Sequence, residues 1–373
     1  MKNKIILSIC IPTYNRKDSI YECVTKILNN YVYDNIEVIV SDNCSDDGTQ
    51  DKLIQIEDAR FKYYRNNENI KWMNLLKVMS YSNGQYSLLI SDEDDVKIEY
   101  LEGLLQYLDG RKDISLLRGD VFNAIRHTTM GFTSNNMKED NYYNKIIAIL
   151  KWAYMSGIVY NNNLILPILR KLDYTHYYKS IKKIGDYPHM WLALLICHKG
   201  PVIFFNKVLV IHARECPRDY INKQFIWEAS RRLEQSMSVC KSFKYLKVST
   251  LSGKEKISLY CERINWVINA IGLGYCQILY DKDFENDFKK YYSKDVQMLY
   301  DLREKSYNVN QMFFTSYKKV NNILKNYLWK TKLDFIKDFI KNGLLIGKLY
   351  CNILKQYYGT KKIFTQNKVA LFV

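Results

Sequence analysis

Three apolar runs of strand length frame the first hundred residues: Ile5–Ile11 (IILSICI), Ile36–Ser41 (IEVIVS) and Gln85–Ser91 (QYSLLIS). A polar turn follows each, at Pro12–Arg16, Ser41–Thr49 and Ser91–Asp95. Between the first two runs, Ile20, Cys23, Val24, Ile27 and Leu28 recur at the spacing of one helix face. Asp18 or Ser19 is the expected N-cap of that helix. A second helix is expected near Gln50–Ile56, a short third strand at FKYYR, and a helix over IKWMNLLKVMSYS that Asn83-Gly84 ends. Continuous apolar strands alternating with helices imply a mostly parallel sheet covered on both faces. Ligands of such sheets bind outside the carboxyl ends of the strands. The three polar turns are therefore expected to converge.

The middle of the chain is less regular. MSGIVYN (Met155–Asn161) is a small-residue turn before a strand. IGDYPHMWLALLICHKG sets Gly185-Asp186 ahead of an apolar helix, with Pro188 suited to its first turn. PVIFFNKVLVIHARE reads as two strand-like runs joined by Asn206-Lys207 and ending at His212. Beyond Glu215 helical patterns dominate and no Pro follows Pro217, which places a boundary near 215–222.

The fourth strand runs straight into Asp92, Glu93, Asp94 and Asp95. Adjacent carboxylates stay ionised together only when something neutralises them. A hard divalent cation, an acid/base pair and a solvated acidic loop are the three explanations. An apolar strand leading into the cluster, with two more polar turns on the same edge, favours the cation.

These segments, in this order, carry a resemblance. SICIPTYNR, EVIVSDNCSDDGT and NNENIKWMNLLKVMSYSNGQYSLLISDEDD resemble the family 2 glycosyltransferases of the GT-A fold, strongly over residues 4–96 and more weakly over 97–215. The resemblance implies an α/β, Rossmann-like, mostly parallel sheet flanked by helices, with a mainly α-helical C-terminal region. It implies a catalytic domain at 1–215, with a nucleotide-sugar half at 1–96 and an acceptor half at 97–215, followed by a basic helical region at 216–373. By the same resemblance Pro12, Thr13, Tyr14 and Arg16 pack on the nucleotide. Asp42 accepts a hydrogen bond from the base, Asn69 and Lys77 help hold nucleotide and diphosphate, and Asp92 contacts the ribose. Asp94 binds a divalent metal, Mn2+ or Mg2+, with Asp95 in support and His212 as a further ligand. Asp186, in a segment similar to the family's D-Y-P-H, is the expected catalytic base. Helix capping is the alternative for Asp186 and an ordinary core or surface role for His212. Asn43 and Cys44 depart from the usual Asp and Gly of the second turn. Trp152, Tyr154, Ser156 and Gly157 match the region that often forms the acceptor platform, although burial is the commoner fate of an aromatic residue. His127, His176, His189 and His198 lack ligand spacing and are expected to be structural.

Charge divides the chain. Residues 1–110 hold 12 basic and 18 acidic residues, 111–300 hold 29 and 17, and 301–373 hold 14 and 4. The acidic front suits a metal ion and the basic rear an anionic surface. In the rear, Ile336, Ile340, Ile346, Tyr350, Ile353 and Tyr357 fall broadly on one helical face among lysines. A peripheral contact with the cytoplasmic face of the cell membrane is expected there, with packing on its own domain or a homo-oligomer contact as alternatives. No recognition motif supports nucleic-acid binding. Nine Cys without a C-x-x-C pair argue against a disulfide framework or zinc ribbon and fit a reducing cytoplasm. The apolar run at Ile5–Pro12 is too short for a signal peptide, and no stretch approaches the ~18 apolar residues of a membrane span.

The expected activity is inverting transfer of a sugar from a nucleotide-sugar, with UDP as the expected carrier, to a glycan or lipid-linked acceptor in cell-surface polysaccharide synthesis. A related nucleotidyltransferase would carry a Gly-rich loop after the first strand, and IPTYNRKDS has no glycine. A non-catalytic scaffold of the same fold would fail to turn over a donor.

Overall fold

The computed structural model describes residues 4–125, 127–131, 141–176, 184–185, 187–214, 237–264, 266 and 309–343. The chain divides into two compact units, Met1–Cys216 and Pro217–Val373. The first unit opens with β1 (Leu7–Thr13), α1 (Lys17–Asn30), β2 (Ile36–Asp42), α2 (Thr49–Leu53), β3 (Phe61–Arg65), α3 (Asn74–Ser80) and β4 (Tyr86–Leu89). It continues with β5 (Asp94–Val96), α4 (Ile98–Leu108), β6 (Leu116–Asn123), β7 (Thr128–Met130), α5 (Tyr142–Ile149) and β8 (Ile158–Asn161). α6 (Asn162–Leu169), α7 (Pro188–Ile196) and β9 (Val202–His212) complete the described part.

The strands form one sheet in the order β3-β2-β1-β4-β8-β6-β9-β5, with β7 paired to β6. The pairs β3/β2, β2/β1, β1/β4 and β6/β9 are parallel. β8 runs antiparallel between β4 and β6, and β5 antiparallel to β9. This is the expected α/β class, but the sheet is mixed and not mostly parallel: among the described residues four strand pairs are parallel and four, with β6/β7 the fourth, are antiparallel. β1 and β2 are buried at every position, as continuous apolar strands must be. α1 buries Ile20, Cys23, Val24, Ile27 and Leu28, the five residues whose spacing announced it.

Four local expectations are corrected. β1 extends through Pro12 to Thr13, so these two residues belong to the strand and not to the turn. Pro12 is tolerated because of where its missing N–H faces. The Cys10 carbonyl accepts from Ile90 of the β4 side, while Thr13 accepts from Asn43 of the β2 side. Pro12, two residues after Cys10, faces β4, whose ladder with β1 already ended at Cys10–Leu89. α1 begins at Lys17, and neither Asp18 nor Ser19 caps it. Asp47 of the next turn accepts from the Lys17 N–H at 3.0 Å. β9 is one strand of 11 residues and not two. The exposed pair Asn206-Lys207 bulges out of the register between Phe205–Gly119 and Val208–Asp120. Finally, the end of the acidic cluster is not loop: Asp94–Val96 is β5, with Asp94 directly opposite His212.

Glu37 ties the opposite end of the β1/β2 pair together. It is 1% exposed and accepts from Ser8 Oγ and the Asn83 N–H, both at 2.6 Å, and from Lys62 Nζ. Burial alone would raise its pKa, but the Lys62, Ser8 and Asn83 donors outweigh it and leave the carboxyl below its usual 4.5. The stability from this group is therefore present above pH 4.5 and lost as pH falls through the lower folded-state value. Thermal unfolding from pH 7 to pH 3 is expected to show a steeper acid loss for the wild type than for Glu37→Gln.

In the second unit, Thr331 caps the helix Lys332–Lys341 by accepting from the Asp334 N–H at 3.1 Å. Trp329 and Phe335 meet edge to face at 4.7 Å, and Trp329 Nε1 donates to Asp338 at 3.0 Å. Leu333, Ile336, Phe339 and Ile340 of this helix are exposed. Ile346, Tyr350, Ile353 and Tyr357 lie outside the described residues. Among the described residues no helix is long and apolar enough to cross a membrane.

Candidate active site

The turns after β1, β2 and β4 meet at the carboxyl edge of the sheet, as expected. Asn15, at φ 54°, donates its N–H to Ser45 Oγ and accepts from the Asp46 N–H, both at 2.8 Å. The first and second turns are thereby locked together. Cys44, where glycine is usual, takes φ 67°. The left-handed turn survives at a cost of about 1 kcal/mol. Asn43 accepts from the Ile70 N–H at 2.9 Å and from Asn66 Nδ2 at 3.1 Å, and donates to Asn69 Oδ1 at 2.8 Å. Asn74 closes this network by accepting from Ser41 Oγ at 2.6 Å and donating to the Ser41 carbonyl at 2.7 Å.

The four adjacent carboxylates do not share one environment. Asp92, 3% exposed, accepts from Thr13 Oγ1 at 2.6 Å and Arg16 NH1 at 2.7 Å. The same guanidinium lies 2.6 Å from Glu93. Asp94 has no exposure. It accepts from the Tyr154 hydroxyl at 2.7 and 2.8 Å, and its Oδ1 lies 2.8 Å from His212 Nδ1. Asp95, the next residue of β5, faces the opposite side of the strand and pairs with Arg214 at 2.5 Å and Lys26 at 3.0 Å. Its support is thus structural, binding β5 to α1, with no hydrogen bond to Asp92 or Asp94 among the described residues. Arg16 and Arg214 neutralise much of what looked in sequence like uncompensated repulsion.

Asp42 is likewise buried, at the tip of β2. Ser45, Tyr63 and Arg65 all donate to it. Burial and the Asp42 charge push the Tyr63 hydroxyl well above its usual pKa, so it is a donor at any physiological pH. Beneath the acidic turn lies Arg118, without exposure. It donates to the Ser156 carbonyl at 2.5 Å, and burial lowers its pKa to about 9. Ser156 Oγ accepts in turn from the Ser91 N–H at 2.8 Å, fixing the end of β4.

Of the residues expected from sequence, the structure gathers Thr13, Arg16 and Asp92 in one cluster, Asp94 and His212 in a second, and Asp42 with Asn69 along the edge. Pro12 is buried and Tyr14 stands 40% exposed beside it. Lys77 is different. It lies a turn into α3 with Nζ 5.8 Å from the Tyr174 ring, and burial lowers its pKa. Trp152 is core, 1% exposed, whereas Tyr154, two residues on, reaches Asp94. His189 is buried and bonded to the Trp152 carbonyl, and His176 pairs with Asp173, in keeping with structural roles. Asp186 lies outside the described residues. Its neighbour Tyr187 occupies the N-cap place of α7 without a side-chain capping bond. Sequence reasoning missed Tyr63, Arg65 and Arg118. The first two were visible only as members of FKYYR, with no signal that they turn toward Asp42.

Among the described residues no group of three or more His, Cys, Asp or Glu side chains is placed to hold a metal ion. Asp94 and His212 nevertheless offer one carboxylate and one imidazole side by side. That pair fits a Mn2+ or Mg2+ that takes its other ligands from a diphosphate and water.

Residues 8–156 match the family model described as Glycosyl transferase family 2. Abequosyltransferase RfbV of Salmonella typhimurium is 35% identical over 229 residues, which cover 56% of this chain and 66% of that protein. An uncharacterized glycosyltransferase of Haemophilus influenzae is 26% identical over 197 residues, 51% of this chain and 58% of its own. The UDP-Glc:alpha-D-GlcNAc-diphosphoundecaprenol beta-1,3-glucosyltransferase WfaP of Escherichia coli is 42% identical over 62 residues, 17% of this chain and 24% of its own. The chain spans at most 66% of the length of these relatives.

Proposed function

Because residues 8–156 belong to glycosyl transferase family 2, we propose that this chain is an inverting glycosyltransferase of cell-surface polysaccharide synthesis. It moves a sugar from a nucleotide-sugar, UDP-linked in our reading, to a glycan or lipid-linked saccharide. The observation that carries the reading is the Asp94–His212 pair. Residues 118 apart in sequence stand 2.8 Å apart, on paired strands, at the edge where β1, β2 and β4 end. The named substrates of the E. coli relative, a UDP-sugar and a diphosphoundecaprenol-linked acceptor, support the choice of donor and acceptor class.

The residues then divide the work. Tyr14 and Pro12 flank the base, with Asp42 and Asn69 on its far side. Asp92, oriented by Thr13 and Arg16, meets the ribose. Lys77 remains a proposed helper near the diphosphate. Asp94 and His212 would hold a divalent cation, which offsets charge building on the leaving group. Tyr154, its hydroxyl donating to Asp94, keeps that carboxylate aimed. Asp186 takes the proton of the acceptor hydroxyl as that oxygen attacks the anomeric carbon from the side opposite the diphosphate. A thermal-shift screen of nucleotide-sugars with and without Mn2+ tests the reading, since a true donor stabilises by mass action. No stabilisation by any nucleotide-sugar would sink it.

A lipid-linked acceptor puts the chain at the inner face of the membrane. The exposed Leu333, Ile336, Phe339 and Ile340, with Lys332, Lys337 and Lys341 on the same helix, support peripheral contact there. Co-sedimentation with phosphatidylglycerol vesicles is expected, weakened at high salt and lost in Ile336→Asp/Ile340→Asp. Equal sedimentation of that variant would remove this part of the reading.

A further inference from the structure

Asp42 is saturated. Its Oδ1 accepts from the Ser45 N–H at 2.9 Å and the Ser45 hydroxyl at 2.5 Å, and its Oδ2 from the Tyr63 hydroxyl at 2.7 Å and Arg65 NH1 at 3.0 Å. An ionised carboxylate offers about four lone-pair sites, so these four donors leave nothing for a ligand. The carboxylate also has no exposure, whereas the Arg65 side chain is 33% exposed. Arg65 ends β3 at the same edge as the tips of β1 and β2. Its NH1 spends both hydrogens, on Asp42 and on the Ser45 carbonyl at 2.8 Å. Its NH2 reaches only Cys44 Sγ, at 3.9 Å, and Nε meets no acceptor among the described residues. A ligand reaching this part of the edge from solvent meets a held guanidinium with donors to spare.

We propose that Arg65 reads the base of the donor, and that Asp42, with Tyr63 and Ser45, is the positioning group that holds Arg65 in place. This deepens the glycosyltransferase reading and rests on it. The consequence is chemical. A carboxylate reader facing N3 needs an imino hydrogen there, which uracil has and cytosine lacks. A guanidinium reader needs acceptors, which uracil supplies at O2 and O4 and cytosine at O2 and N3. Arg65 therefore accepts either pyrimidine, where Asp42 alone would reject cytosine.

Isothermal titration of the full chain with UDP, CDP and GDP in the presence of Mn2+ decides it. The wild type is expected to bind UDP and CDP within about tenfold of each other, and Arg65→Gln to weaken both by about 10- to 100-fold, the range for a hydrogen bond to a charged group. Arg65→Lys keeps a cation beside Asp42 and so guards against misfolding. It is expected to melt like the wild type and still lose most of the affinity, because an ammonium cannot present the forked donors. Tyr63→Phe should weaken both nucleotides less, through KM and not kcat. A wild type that prefers UDP over CDP by more than about 100-fold, with the preference intact in Arg65→Gln, returns the role to Asp42. That result overturns this inference and leaves the glycosyltransferase reading standing. Guanine also offers acceptors, at O6 and N7, so any of the three nucleotides bound as tightly by folded Arg65→Gln as by the wild type also overturns it. A folded wild type that binds no nucleotide overturns both.

Discussion

Asp94→Asn is expected to lower the rate of nucleotide release from the donor about a thousandfold while leaving the fold intact. The size follows from what is removed. Lewis-acid stabilisation of a leaving group is worth several kcal/mol, and each 1.36 kcal/mol is about a factor of ten in rate. The tolerance of the fold follows from geometry. Asp94 is fully enclosed and touches Tyr154 and His212. An amide of the same shape can accept from the tyrosine hydroxyl through its oxygen and donate to the neighbouring ring nitrogen through its NH2. The melting temperature should move little, and a Mn2+ titration should show weakened binding even without donor. His212→Gln makes a useful contrast. It removes the imidazole and keeps the carboxylate, so its loss should be smaller and partly repaired by excess Mn2+. If Asp94→Asn melted as the wild type and turned over donor at the wild-type rate, Asp94 would have no role in the chemistry.

Asp186→Asn is the second large effect. Loss of a positioned general base costs about 10²- to 10⁴-fold, and it should fall on kcat with nucleotide affinity unchanged. Two opposing influences act on such a carboxylate. A helix N-terminus lowers its pKa, and burial in an acceptor pocket raises it. α7 starts at Pro188 with Tyr187 in the capping place. The wild-type rate should fall on the acid side as the base protonates, and the variant should lose that limb of the profile. An unchanged acid limb in Asp186→Asn would assign the base elsewhere.

Much of the nucleotide half could be read from the chain because its signals are local. The spacing of Ile20, Cys23, Val24, Ile27 and Leu28 places α1, and the apolar runs place β1, β2 and β4. The polar turns converge because parallel strands share one carboxyl edge. What stayed hidden depends on pairing between distant segments. Nothing near Asp94 announces that β5 forms, or that its partner is His212 in exact register. Nor does the order Asp92-Glu93-Asp94-Asp95 reveal that the four side chains diverge to Thr13 with Arg16, to Arg16, to Tyr154 with His212, and to Lys26 with Arg214. The acidic cluster looked like repulsion awaiting a cation. Three of its four members are instead paired with basic side chains, and Asp94 stands with His212 and Tyr154. Lys77, which the motif placed near phosphate, also stands 5.8 Å from the Tyr174 ring, a neighbour nothing in the sequence announced.

The central claim is that the edge built from β1, β2, β4 and β5 binds and activates a nucleotide-sugar. The most direct test measures nucleotide release from a panel of UDP-, CDP-, dTDP- and GDP-sugars by the purified chain, with Mn2+ and with EDTA, for wild type and Asp94→Asn. Release from at least one donor should require the metal and disappear in the variant. Folded wild-type protein that releases nucleotide from none of them, or that does so equally in EDTA and in Asp94→Asn, would contradict it.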